Sequence, residues 1–221
     1  GSTLTTSSLT ASQQPYYANL ANSSVDHFSV TFGHKNGSGS LDETDVGKTK
    51  AVYQQMATTL LFPDEIENTG FQFDGSTTEE SVWFLLANRE RFKDRINIKN
   101  WTLNLSGSSA TQGTGATNLA LTDDSADVAP TATPVGSRYN IVAGTAGVVT
   151  TPATTKNYGW FYPDLGVFAL AGSQVSASIP GVYRDSSHAG YEGHSTGSHM
   201  GSGLDSSSGF HTDLHASAKN H

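Results

Sequence analysis

Apolar residues recur at every second position along much of this chain, and that alternation restricts the fold more than any other feature. Phe28, Val30 and Phe32 alternate with Ser29 and Thr31, so His27–Phe32 reads as a strand with one apolar face. Trp101, Leu103 and Leu105 alternate with Thr102, Asn104 and Ser106 in the same way. Ser81–Asn88 is a continuous apolar run, the pattern of a strand covered on both faces. Leu119–Thr122 and Tyr139–Val142 are shorter strand candidates. Tyr158–Tyr162 and Val167–Leu170 flank Pro163-Asp164-Leu165-Gly166, whose Pro, Asp and closing Gly suit the turn of a hairpin.

One segment has a different period. Between Thr44 and Leu61, Val52, Tyr53, Met56 and Leu60 fall on one helical face. Asp42, Glu43 and Asp45 precede it, where carboxylates suit the positive end of a helix dipole, and Pro63 follows. The expected fold class is therefore α+β and β-dominated: a twisted antiparallel sheet with one main helix at about 44–61 and long Gly/Ser-rich loops. Composition agrees. About a quarter of the residues are Ser or Thr, 23 are Gly, and only 14% are charged, which suits strands and turns rather than a helical bundle.

Core-forming residues concentrate between 25 and 182. Residues 1–24 are Ser/Thr-rich and read as a flexible arm or an extended segment that orders on a neighbour. Residues 183–221 are rich in Gly, Ser and His and read as a loop or extended tail, in a chain expected either to have trimmed ends or to be an excerpt of a longer protein. Gly197-Ser198-His199-Met200 fits either a cloning scar or native sequence of that composition.

The formal charge of −8 disfavours bulk binding of nucleic acid phosphates. With no Cys, disulfides, thiol nucleophiles and thiolate zinc sites are excluded. The longest apolar runs are too short for a membrane-spanning helix.

Five local patterns touch on chemistry. Gly47-Lys48-Thr49 has the end of a phosphate-binding loop, but Asp42 stands where that loop needs its first Gly; the start of a helix is the better reading. Asp123, Asp124 and Asp127 resemble the opening of a calcium loop without its Gly and closing Glu, and read as an acidic turn. Six of the eight His lie between His188 and His221, and His211 and His215 are spaced for chelation on a helix; the surrounding composition favours a solvated tail. Arg89, Arg91, Lys93, Arg95 and Lys99 hold five of the twelve basic residues, interleaved with Glu90 and Asp94. That mixture reads as a salt-bridged loop or a contact for an acidic neighbouring subunit. Tyr158, Trp160 and Tyr162 would share one hairpin face, with Phe161 on the other, either as a sugar-stacking platform or as core and subunit interface.

No constellation offers assignable acid, base and nucleophile roles. His27 and His34 flank the first strand without an evident acid partner. Glu79, Glu80 and Asp164 would be the first suspects for a polysaccharide hydrolase. The expectation is a non-enzyme without cofactor or metal.

Several stretches, in order, carry a resemblance. They are His27-Phe28-Ser29-Val30-Thr31-Phe32-Gly33-His34 with Asn36-Gly37-Ser38-Gly39-Ser40, then Lys50-Ala51-Val52-Tyr53-Gln54-Gln55. Arg91-Phe92-Lys93-Asp94, Trp101-Thr102-Leu103-Asn104-Leu105, Leu121-Thr122-Asp123-Asp124-Ser125 and Tyr139-Asn140-Ile141-Val142-Ala143-Gly144 follow. Tyr158-Gly159 through Tyr162-Pro163-Asp164-Leu165-Gly166-Val167 completes the series. Over residues 27–180 it resembles virion structural proteins of contractile-tailed phages, best known in those infecting marine cyanobacteria. The resemblance implies a tail or baseplate component of the virion, assembled in the host cytoplasm, in contact with copies of itself and other virion proteins. It supplies no catalytic residues. The alternatives are a receptor- or glycan-binding module that meets a host surface glycan, and a capsid decoration protein.

Overall fold

A computed structural model describes residues 5–6, 17–22, 25–37, 47–107 and 117–178. In chain order these form β1 (Thr5–Thr6), β2 (Tyr17–Asn22), β3 (Val25–His34), α1 (Gly47–Leu60), a π-helical turn (Glu65–Thr69), β4 (Ser81–Ala87) and a 3₁₀ turn (Arg89–Arg91). Then come β5 (Leu103–Gly107), β6 (Thr117–Asp123), β7 (Thr131–Thr133), β8 (Gly136–Thr145), β9 (Val148–Thr151), β10 (Gly159–Tyr162), β11 (Val167–Ala171) and α2 (Gly172–Ser178). The strands make one antiparallel sheet in the order β1-β2-β3-β4-β11-β10-β8-β6-β5, with β7 and β9 also paired to β8. The fold is α+β and β-dominated, as the alternation predicts.

The centre of the sheet is β4 and β11, and their continuous apolar sequences follow from burial on both faces. Val82 and Phe84 of β4 point one way with Val167, Ala169 and Ala171 of β11; Trp83 and Leu85 point the other with Phe168 and Leu170. Register pairs Leu86 with Val167 and Val82 with Ala171.

On the first face lies α1, which buries Tyr53, Ala57 and Leu60, one residue per turn. Val52 and Met56 pack at its margin. The helix can lie this close because β3 offers Gly33: a methyl group there would sit 2.9 Å from the Tyr53 Cα. The Tyr53 hydroxyl donates to the Glu79 carbonyl at 3.0 Å and accepts from the Phe71 amide at 3.3 Å, tying the helix to the chain that enters β4. Phe71 and Phe73 complete this face beside Trp160. Completely buried rings such as Phe71 and Phe84 each contribute about 1.5–3 kcal/mol.

The second face is closed by the sheet itself. A bulge at Ala143/Gly144 lets β8 pair with β10 along its first half and with β9 along its second, while its other side carries β7 and then β6. The sheet curls so that Trp101 meets Phe161 and Phe168 edge-on at 5.2 and 4.9 Å. Ile96, Ile98, Leu103 and Leu105 pack here as well.

Helix α1 is described from Gly47, and residues 38–46 before it lie outside the described residues. Three expectations change. Part of the segment read as an arm is strand: β2 pairs with β3 in the chain's own sheet, across the 24/25 boundary. Strands β7 and β9 and helix α2 were not expected. Finally, Tyr158 does not share a face with Trp160 and Tyr162. It packs with Phe161 on the second face, because Gly159, at φ +155°, breaks the alternation at the start of β10. The tail from 183 and its His residues, including His211 and His215, lie outside the described residues, as do Asp42, Glu43 and Asp45.

Candidate functional site, a cation-lined cleft at the end of the sheet

The most distinctive surface feature grows from the chain just after β4. Ala87 and Asn88 are still held as strand, their amides donating to the carbonyls of Gly166 and His27 at 2.8 Å. The Asn88 side chain then accepts from the Glu90 amide at 3.1 Å, which starts a 3₁₀ turn. Eight residues further on, the Ile96 amide donates to the Pro163 carbonyl at 3.0 Å, and the Ile96 side chain enters the second-face core. The loop between is pinned at both ends. Its one large apolar ring, Phe92, is half-buried and lies over Gly166, where a methyl group would come within 2.6 Å of it. Arg89 stacks on that ring, 4.6 Å from its centroid, and donates to the Asp94 carbonyl at 3.2 Å.

Arg91, Lys93 and Arg95 are thereby pushed into solvent. With His27, Phe28 and Phe92 they line an open cleft of about 620 Å³. Asp94 is the only carboxylate of the lining, set against three permanent cations. Arg91, Lys93 and Arg95 make no ion pair among the described residues, so the salt-bridged reading of this loop does not hold. On a chain of net charge −8 this is a local reversal of sign. Two guanidinium groups beside an ammonium favour carboxylates or other oxyanions, which the planar fork of Arg can hold in bidentate fashion.

The other candidates serve the fold. Trp160 and Tyr162 are 6% and 0% exposed on the first face, and Tyr158 is 5% exposed on the second, so none offers a stacking platform. The Asp123 carboxylate accepts from the amides of Lys99 and Ser125 and from the Ser125 hydroxyl. It thereby holds Lys99 at φ +62°, a conformation unusual for a side-chain-bearing residue. Asp124 accepts from the Asn140 amide and side chain at 3.1 and 2.7 Å, and burial raises its pKa. Gly47-Lys48-Thr49 is the first turn of α1, with Thr49 buried.

The hydrolase suspects do not converge. Glu79 and Glu80 precede β4, and Glu79 bonds to the amide and hydroxyl of Ser173. Asp164 sits in the turn next to the other end of β4 and accepts from the Ser137 amide at 3.0 Å. The seven residues of β4 set these ends roughly 23 Å apart, beyond the roughly 5–10 Å that paired glycosidase carboxylates require.

Sequence reasoning missed Arg138. Its guanidinium lies 3.9 Å from the Trp160 ring centroid and pairs with Glu65 at 3.1 Å. The partners are 73 positions apart, and no local pattern announces them.

No family model, curated protein or solved structure matches this chain.

Proposed function

We infer that this chain is a structural subunit of a phage virion, in the tail or baseplate, and that it works through contacts with copies of itself and with other virion proteins rather than through catalysis. The observation that carries this reading is how the chemistry-bearing side chains are spent. The aromatic rings fill the two core faces, Asp123, Asp124 and Asp164 hold backbone turns, and Glu65 neutralises Arg138. Among the described residues, the surface carries a shallow, cation-lined cleft, which suits a charged protein surface better than a small enclosed substrate. The ordered series of segments between 27 and 180 supports the same reading.

The test is localisation. Antibodies raised against the chain, applied to particles of a phage whose genome encodes it, should decorate one part of the tail in negative stain. Particles lacking the chain altogether would refute the reading. Labelling on the head would move the subunit to the capsid surface.

A further inference from the structure

The antiparallel pairing of β3 with β4 sorts charge to the two ends of the sheet. At one end, His27 opens β3's described side chains and the Arg91–Arg95 loop follows β4, forming the cleft. At the other end β3 finishes at His34 and β4 begins at Ser81, directly after Glu79 and Glu80. Two exposed carboxylates stand at that corner, and both are fixed. Glu80 accepts from the Asn36 side chain at 3.2 Å, and the Lys35 amide donates to its carbonyl at 2.8 Å. Asp74 accepts from the amides of Ser76 and Thr77 at 2.9 and 2.7 Å. The Glu79 amide, bonded to the Phe71 carbonyl at 2.7 Å, ties the Asp74 loop to this end, close enough for Asp74 to act on the Glu79 charge. Lys35 adds one exposed cation to the corner, against the carboxylates of Asp74, Glu79 and Glu80.

We propose that the cation-lined cleft of one copy receives the Asp74–Glu80 corner of the next, joining copies of this chain head to tail. The proposal rests on the structural-subunit reading and names its contact. A two-fold contact through the cleft would set Arg91, Lys93 and Arg95 against the same cations, which repel. A contact between opposite ends pairs unlike charges and leaves each copy with one free cleft and one free corner. Carboxylates held in place by backbone donors suit guanidinium forks, because little side-chain freedom remains to be lost on docking. Such a contact weakens with salt.

The experiment is light scattering after size exclusion, over a range of concentrations, at about 20 mM and about 300 mM salt. Two variants are compared with the parent chain. The cleft variant carries Arg91→Gln and Lys93→Gln; the corner variant carries Glu80→Gln and Asp74→Asn, the Asn retaining the acceptor for Ser76 and Thr77. All four residues are exposed, and unchanged melting verifies folding. The parent should associate at low salt, and each variant alone should associate more than about tenfold more weakly. Mixed in equal amounts, the variants should form a two-chain complex and stop there, since each supplies one intact end. If both variants associate like the parent, or the parent is a monomer in all conditions, the head-to-tail contact is refuted. A parent that assembles equally at both salt concentrations refutes it too. None of these results touches localisation in the particle, which tests the subunit reading separately.

Discussion

Trp160→Ala discriminates most sharply between a ring that builds the core and a ring that meets a ligand. Trp160 is 6% exposed, meets Phe73 edge-on at 4.7 Å and carries the Arg138 guanidinium on its face at 3.9 Å. Removing a buried Trp costs about 3–5 kcal/mol through lost transfer energy and the cavity left behind. Losing a desolvated cation–π contact adds about 1–2 kcal/mol, although Arg138 keeps Glu65 as a partner. An expected loss of about 4–7 kcal/mol is a large share of the roughly 5–15 kcal/mol that typically holds a domain together. It corresponds to a melting temperature lower by about 10–20 °C for a domain of this size. Equilibrium urea unfolding, followed by far-ultraviolet circular dichroism, should show an earlier midpoint with an unchanged slope. Trp160→Phe, which keeps an aromatic ring over Phe73, should lose less than half as much. A Trp160→Ala loss below about 1 kcal/mol would refute the core assignment and return the ring to the list of ligand contacts.

Other positions give independent checks. Gly159→Ala would drive a methyl group into the Ala169 carbonyl oxygen across the β10–β11 pair, and should cost at least about 3 kcal/mol; a melt within a few degrees of the parent would contradict that packing. Asp123→Ala removes the acceptor of the Lys99 and Ser125 amides and should cost about 2–3 kcal/mol, with faster hydrogen exchange at the Lys99 amide as its local signature. His34 is held neutral: burial lowers its pKa below 6.5, partly opposed by Glu80, and its Nδ1 accepts from the Asn36 amide at 3.1 Å. The unfolded chain takes up that proton more readily, so the stability His34 confers is complete above about pH 6.5 and is lost as pH falls toward its folded pKa. Burial raises Glu79 and Asp124 from 4.5 and 3.8, so they act in the opposite sense, their share being lost as pH rises through their folded values. The difference in melting temperature between the parent and His34→Asn should therefore narrow on acidification from about pH 7.5 to about pH 5.5, and a constant difference would count against the assignment.

What the sequence discloses about this fold is local. The alternation of Phe28, Val30 and Phe32, the apolar run at 81–88 and the Pro163–Gly166 turn each follow from a period or a turn residue, and each marks an element that forms. The basic loop was legible as charge, but its cleft was not, since that depends on the Ile96–Pro163 bond and on Phe92 meeting Gly166. Strand β2 escaped notice because Tyr17–Asn22 has little apolar alternation and is placed by hydrogen bonds to β3. A strict period of two misplaces Tyr158 because Gly159 interrupts the alternation. Arg138 and Glu65 meet beside Trp160 on the first face, 73 positions apart in sequence, and no reading along the chain could have joined them.

The pairing of β4 with β11 also governs how the protein can be made. Val82–Leu86 acquires that neighbour from residues some 80 to 90 positions later, so this apolar strand waits through that stretch of synthesis with one edge and much of its surface uncovered. Helix α1, already made, can shield one face; the other stays open until Phe161, Phe168 and Leu170 leave the ribosome. Chains truncated before Val167 should therefore be captured by chaperones or aggregate. The short β10–β11 hairpin decides whether the first half of the described polypeptide is soluble.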